Sequence, residues 1–398
     1  MFSYWESEPM GPLHGIRIIE MGGVGPGPFA CMLLADLGAE VIRVDRPGGA
    51  NQGGLLQDYD VLARSRRSIV LDMKVPGAID VLRDLVRGAD AFVEGFRPGV
   101  AERLGLGPEA LLAVNPALVY GRITGWGQDG PLAPTAGHDL TYIAISGNLH
   151  GYGRAGGKPT PATNAVGDFG GGGMLLVAGL LSALFAARAS GTGQVVDVAM
   201  ADGAALLSSM FWGMLAQGTW RDERGVNLLD TGAPFYDTYE TADGRFVAIA
   251  PIEPQFYAQL RKLTRIADDP DFDEQFDEGR WPVMREKLAA IFARRTRDEW
   301  EAIFAGSDAC LAPVLSMNEA PRHPHNLARG AFVDVAGIVQ PAPAPRFSAT
   351  PLPPPRPPRP LGADGESVLL DLGYTTDAIA NLASEGVFGA NRSERTRP

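Results

Sequence analysis

A change of hydrophobic period around one proline-flanked glycine turn constrains this chain more than any other feature. Ile16 to Met21 reads as a short strand, Pro28 to Leu37 as a helix and Glu40 to Val44 as a second strand, with Gly25-Pro-Gly27 at the first junction. Two strands joined through one helix pair in parallel, because a parallel pair needs a crossover long enough to return the chain to the same end of the sheet. The alternation goes on: strand-like Ser68 to Asp72, a helix near Pro76 to Arg87, then strand-like Asp90 to Glu94 and Ala117 to Thr124. It predicts an α/β fold built on a Rossmann-like, doubly wound parallel sheet. With 398 residues the chain exceeds one ordinary core, so a second, smaller domain is expected.

After a helical stretch from Met200 to Gln217 the character changes. Residues 234–240 and 245–250 flank the turn signal Ala242-Asp-Gly244 and read as an antiparallel hairpin. Helices follow around Glu253 to Leu263, Trp281 to Phe292 and Thr296 to Phe304. Ten prolines between Pro341 and Pro360 forbid helix and central strand there, so that segment reads as an extended connector. Beyond it, Glu366 to Leu372 and Thr376 to Ala383 read as short helices, the second capped by Thr375 or Thr376. These readings divide the chain into a large domain over 10–200 and 340–398, a linker helix region over 201–232 and a small α+β domain over 233–330.

The formal charge of −12 lacks the Lys and Arg excess with which nucleic-acid binders neutralise phosphates, so no nucleic-acid partner is expected. Two cysteines, Cys31 and Cys310, make neither a disulfide framework nor a metal site, and a reduced, cytoplasmic setting fits. The first nine residues carry acidic side chains where an export signal would be basic and then apolar. Met174 to Ala187, the most apolar run, is shorter than a bilayer span and contains Gly179 and Ser182, so it reads as a buried helix and no membrane span is expected.

The Gly25-Pro-Gly27-Pro-Phe-Ala30 turn fits the dinucleotide fingerprint, with Asp45 at the end of the next strand in the ribose-binding place. A hydride-transferring NAD enzyme is therefore one reading. Pro26 and Pro28 stiffen a turn that must mould to a pyrophosphate, and Pro28 suits the start of a helix without any ligand, so a plain strand-to-helix turn is the other.

Gly11 to Glu20 (GPLHGIRIIE), Leu33 to Pro47 (LLADLGAEVIRVDRP), Glu94 to Gly99 (EGFRPG), Arg103 to Leu106 (RLGL), Gly193 to Met200 (GQVVDVAM) and Thr241 to Arg245 (TADGR) resemble the family III CoA-transferases over nearly the whole chain. Within that family the branch of the α-methylacyl-CoA racemases is most similar, through Ala136 to Tyr142 (AGHDLTY), Val166 to Met174 (VGDFGGGGM) and Ile252 to Tyr257 (IEPQFY). Departures from the pattern are the nine-residue head, the stretch Ala50 to Tyr59, the proline tract and the charged tail from Arg392.

The resemblance implies catalytic roles for His138, Asp168 and Glu253, a 2-methylacyl-CoA substrate, no cofactor beyond the CoA it carries, and an intertwined homodimer. For CoA it implies Arg46, then Leu71, Asp72, Met73 and Lys74, then Gly95, Phe96 and Arg97, with Arg103. Gly137, Asp139 and Tyr142 complete that set around His138. Arg64, Arg66 and Arg67 are expected to add positive field. The chemistry matches the residue types: inverting a carbon beside a thioester takes a proton from one face and delivers another to the opposite face, which calls for two positioned bases. Amide groups beside Asp168 at the start of a helix are expected to receive enolate charge. An N-capping carboxylate is the structural alternative for Asp168. The other reading of the same carboxylate is a CoA-transferase that carries CoA as an Asp168 thioester, and a CoA-binding protein without catalysis is a more remote one.

Overall fold

The computed structural model of the chain describes residues 10–49 and 57–389; the nine-residue head, residues 50–56 and the tail from Arg392 lie outside the described residues. The chain divides into two units, one of residues 1–146, 164–207 and 328–398, the other of residues 147–163 and 208–327.

In the first unit six strands, β1 (Arg17–Met21), β2 (Glu40–Asp45), β3 (Arg67–Val70), β4 (Ala91–Glu94), β5 (Val119–Thr124) and β6 (Gln194–Ala199), form one sheet in the order β3-β2-β1-β4-β5-β6. Every pair is parallel. The sheet is apolar on both faces, as a doubly wound sheet must be when helices cover it on either side. Ile19, Ile42, Ile69, Phe92 and Tyr120 pack with Val81, Leu82 and Leu85 of the helix Pro76–Arg87. Ile18, Val41, Val93 and Val119 pack with Leu34 of the helix Pro26–Asp36 and with Leu176, Leu180 and Leu184 of the helix Leu175–Ser190. The strand order reverses between β1 and β4, and in open α/β sheets that switch point opens a crevice at the carboxyl ends of the strands.

The apolar run at Leu175–Ser190 turns one face to that core and leaves Phe185 exposed on the other. Together with the wide-turn segment before it, Ala165–Ser190 is long and apolar enough to cross a membrane by composition, and packing against the sheet accounts for the apolarity of its buried face. The proline tract runs without helix or strand from the end of the strand Ile338–Pro341 to residue 360, pinned to the first unit where Ser65 N–H donates to Arg356 O and Gly11 N–H to Pro351 O.

The second unit carries the antiparallel sheet β7 (Asp237–Glu240), β8 (Phe246–Ile249) and β9 (Leu311–Pro313). Phe235, Tyr239, Val247, Phe292 and Trp300 build its core. The helical stretch from Met200 is two helices, Met200–Leu207 and Ser209–Gln217, and the division between units falls at that break. Residues 147–163, placed by the sequence within the large domain, group with the second unit, and the first unit resumes at Ala328 rather than at 340.

Candidate active site

A cavity of about 890 Å³ opens at the carboxyl ends of the strands, lined by residues of the first unit. Residues 21–28 after β1, Asp45 and Arg46 at the end of β2, 71–74 after β3, 95–98 after β4 and Gly125 and Trp126 after β5 form its wall. His138, Tyr142, Asp168 and Met200 close it on the remaining side.

His138 precedes the helix Asp139–Ile145, in extended backbone, and Thr141 Oγ1 accepts from its amide at 3.1 Å and donates to its carbonyl at 2.8 Å. Its imidazole is exposed toward the cavity it lines. Asp168 does not cap a helix. It lies inside Ala165–Met174, a segment wound with wide i to i+5 turns that runs into the helix Leu175–Ser190. Gly171, Gly172 and Gly173 in this segment are buried, and a Cβ at Gly173 would stand 2.5 Å from the Phe29 ring, so the glycine run brings the backbone close against the helix Pro26–Asp36.

Burial pushes the Asp168 carboxyl above its ordinary range; the amide of Asn164, donating to Oδ2 at 3.3 Å, opposes this, the Asp139 charge adds to it and the His138 charge counters it. The result is a carboxylate of raised basicity facing the same cavity as an imidazole. Tyr142 stands edge-on to Trp126, ring centroids 4.8 Å apart, and burial together with the Asp168 charge pushes its phenol up to about 12, so it stays protonated at neutral pH.

Three expectations change here. The Gly167 and Asp168 amides, expected to receive enolate charge, both donate to Asp139 Oδ1, at 2.7 and 2.8 Å. Asp139 is therefore not a wall residue but a buried support, 5% exposed. Arg64, Arg66 and Arg67 add no free positive field: Arg64 pairs with Asp36, Arg66 with Glu20, and Arg67 with Glu40 and Asp371.

The cations that do face the cavity are Arg46, Lys74 and Arg97, all exposed, and among the described residues none has a carboxylate partner. Leu71, Asp72, Met73, Gly95, Phe96, Gly137 and Tyr142 line the same wall. Arg103 does not; it lies exposed behind Gly99. Glu253 is carried by the second unit, exposed at the cap of the helix Pro254–Leu263.

Sequence reasoning assigned no site role to Glu94. It is 1% exposed, accepts from Phe96 N–H at 2.6 Å and from Arg122 Nε at 2.8 Å, and so folds back the turn that presents Arg97. Its place at the end of a strand, just before Gly95-Phe-Arg97, was the available signal.

The dinucleotide reading gains the strand order but loses the donors. Pro26 and Pro28 have no N–H, and the Phe29 amide already bonds Gly25 O, so the helix Pro26–Asp36 has few amides to offer a pyrophosphate. Asp45 is buried and accepts from Arg43 Nε at 2.9 Å, so one of its two oxygens is already engaged.

The model of CoA-transferase family III matches residues 13–365. The mouse (Mus musculus) α-methylacyl-CoA racemase is 44% identical over 96% of this chain and 98% of its own length, and the human (Homo sapiens) protein of that name is 44% identical over the same shares. Among solved structures, a CAIB/BAIF family protein from Brucella suis superposes with a TM-score of 0.79 at 26% identity, over 91% of this chain and 99% of that one.

Proposed function

The chain belongs to CoA-transferase family III, and from that premise we propose that it is an isomerase, a racemase that interconverts the (2R) and (2S) forms of 2-methylacyl-CoA thioesters. The observation that carries this reading is the pairing on one cavity wall of an imidazole, His138, with a carboxylate of raised basicity, Asp168. The 44% identity to two α-methylacyl-CoA racemases supports it over CoA transfer.

One base takes the α-proton, the thioester carbonyl carries the enolate charge, and the other base returns a proton to the opposite face. Raised basicity matters because a weakly acidic C–H yields slowly to an ordinary carboxylate. Arg46, Lys74 and Arg97 supply unpaired positive charge for the phosphates of CoA. The reaction needs no cofactor beyond the CoA thioester itself. Glu253 enters as the third catalytic group from the family resemblance alone. A homodimer is part of the proposal, supported by the exposed apolar side chains Phe185, Leu206 and Leu207 of the first unit and Met210 and Trp212 of the second. A cytoplasmic location is proposed from the two free cysteines.

The test is to incubate each enantiomer of a 2-methylacyl-CoA in deuterated water and follow inversion and label uptake. The parent inverts both. His138→Ala and Asp168→Asn each lose racemisation by about 10² to 10⁴-fold, and residual exchange is confined to one enantiomer, opposite in the two variants. Retention of the same enantiomer's exchange in both variants overturns the two-base assignment. CoA transfer to an added acid without inversion overturns the racemase reading.

A further inference from the structure

Asp139 stands between the two bases. It follows His138 directly in the chain, and its Oδ1 accepts the amides of Gly167 and Asp168 at 2.7 and 2.8 Å. The approach is close enough that a Cβ at Gly167 would fall 2.6 Å from the same oxygen. The carboxylate is 5% exposed, and its second oxygen, Oδ2, is buried without a hydrogen-bond partner among the described residues. Burying a carboxylate while leaving one oxygen unbonded costs stability, and nothing in the packing of an apolar helix requires it.

We propose that Asp139 is a positioning residue for proton transfer, its buried carboxylate fixing the segment that carries Asp168 to the residue that carries His138. This rests on the racemase reading. The path from one base to the other is one peptide bond, one side chain and one hydrogen bond, so the gap in which the α-carbon must sit is set by a rigid link rather than by the length of chain between the bases. The wide-turn segment at Ala165–Met174 needs such a link, since its glycines give it little stiffness of its own.

Asp139 also acts through charge. Its carboxylate opposes ionisation of Asp168, reinforcing burial, while the Asn164 amide and the His138 charge act the other way. The other titratable groups on elements packed against the segment are engaged elsewhere, exposed or neutral: Asp36 with Arg64, Arg122 with Glu94 and Glu102, Asp197 with the backbone of Gln128, Asp202 and Arg188 at the surface, and the Tyr142 phenol, pushed up to about 12, still protonated. Removing the Asp139 charge while keeping its shape should therefore weaken Asp168 as a base without moving it.

Asp139→Asn does this, because its Oδ1 can still accept both amides; Asp139→Ala removes the link. The experiment follows α-proton exchange of each 2-methylacyl-CoA enantiomer in deuterated water from pH 4 to 9, with melting temperature measured alongside. For Asp139→Asn the acidic limb of the exchange that uses Asp168 as base moves to lower pH and its plateau falls several-fold, to about tenfold. For Asp139→Ala both exchanges fall by about 100-fold, the cost of a base displaced by about 1 Å. Parent-like pH profiles for both enantiomers in Asp139→Asn overturn the proposal, and so does a parent-like rate in Asp139→Ala. If Asp139→Ala does not fold, the asparagine variant decides alone. If the parent itself exchanges no α-proton, the racemase reading has failed rather than the role of Asp139.

Discussion

Gly203→Ala sets two opposed effects against each other at the crossing that supports Asp168. The helix Met200–Leu207 packs on the wide-turn segment backbone to backbone: a Cβ at Gly203 would fall on the Gly171 carbonyl, 2.5 Å from its carbon, and a Cβ at Gly171 would stand 2.5 Å from Ala204 N. Carbon atoms in contact sit about 3.5–4 Å apart, so the two elements must part by about 1 Å. Helix propensity favours alanine by about 1 kcal/mol, whereas overpacking costs about 1–3 kcal/mol. The obstructing atoms are main chain and cannot rotate away, which puts the cost at or beyond the upper end of that range. The net is a loss of about 2 kcal/mol, or roughly 4–8 °C in melting temperature for a unit of this size. Asp168 lies one turn before Gly171 and Met200 at the start of the moving helix, and both line the cavity. The displacement therefore reaches the chemistry, with exchange of both enantiomers slowed by about 100-fold. Calorimetry and deuterium exchange on the purified variant test this together. A Gly203→Ala protein melting at or above the parent temperature, with parent exchange rates, would refute the reasoning.

Asp168→Asn should make the protein more stable at pH 7 than its parent. Because burial raises the Asp168 pKa above 3.8, its ionised form penalises the folded state; the penalty is absent below the unfolded pKa and complete above the folded one, at about 1.4 kcal/mol per tenfold change in proton affinity. Melting temperatures at pH 4 and pH 7 check it: the gap in favour of the variant should widen with pH, and a constant or reversed gap counts against the assignment. Arg97→Ala should raise KM for acyl-CoA by about 10 to 100-fold, the worth of a charge-assisted hydrogen bond, with little change in kcat, and steady-state kinetics decide. An unchanged KM removes Arg97 from the CoA site.

Much of the scaffold is legible in the sequence because local chemistry agrees with the final packing. Helices near Pro76–Arg87 and Trp281–Phe292 are legible, since in each a proline falls in the first turn and an apolar face repeats with helical period. The strand-to-helix turn at Gly25 and the hairpin across Gly244 carry their own punctuation, both glycines standing at positive φ. His138 and Asp168 are legible as a pair through the resemblance of their two segments. What surrounds them is not. Wide i to i+5 winding at Ala165–Met174 has no composition that separates it from an ordinary helix start, so Asp168 reads as a cap until the packing is known. The bond from Asp139 to the Asp168 amide joins residues on different elements, and no periodicity reports it.

The arginines show the same limit and its physical origin. By charge alone Arg46, Lys74 and Arg97 cannot be told from Arg64, Arg66 and Arg67. The difference lies in which carboxylates the fold brings within reach. Arg64, Arg66 and Arg67, at the start of β3, meet acidic side chains from neighbouring elements: Asp36 at the end of a helix, Glu20 on β1 and Glu40 on β2. Arg46, Lys74 and Arg97 follow their strands at the carboxyl end, beyond the last ladder pairs, where among the described residues none of them is paired with a carboxylate. Charges paired within the sheet have no net field left to offer an anion, while the unpaired ones at its rim keep theirs. A cation's place along a parallel strand therefore bears on whether it serves the fold or a ligand. For this chain it assigns positive charge to the switch-point cavity and none to the opposite end of β3.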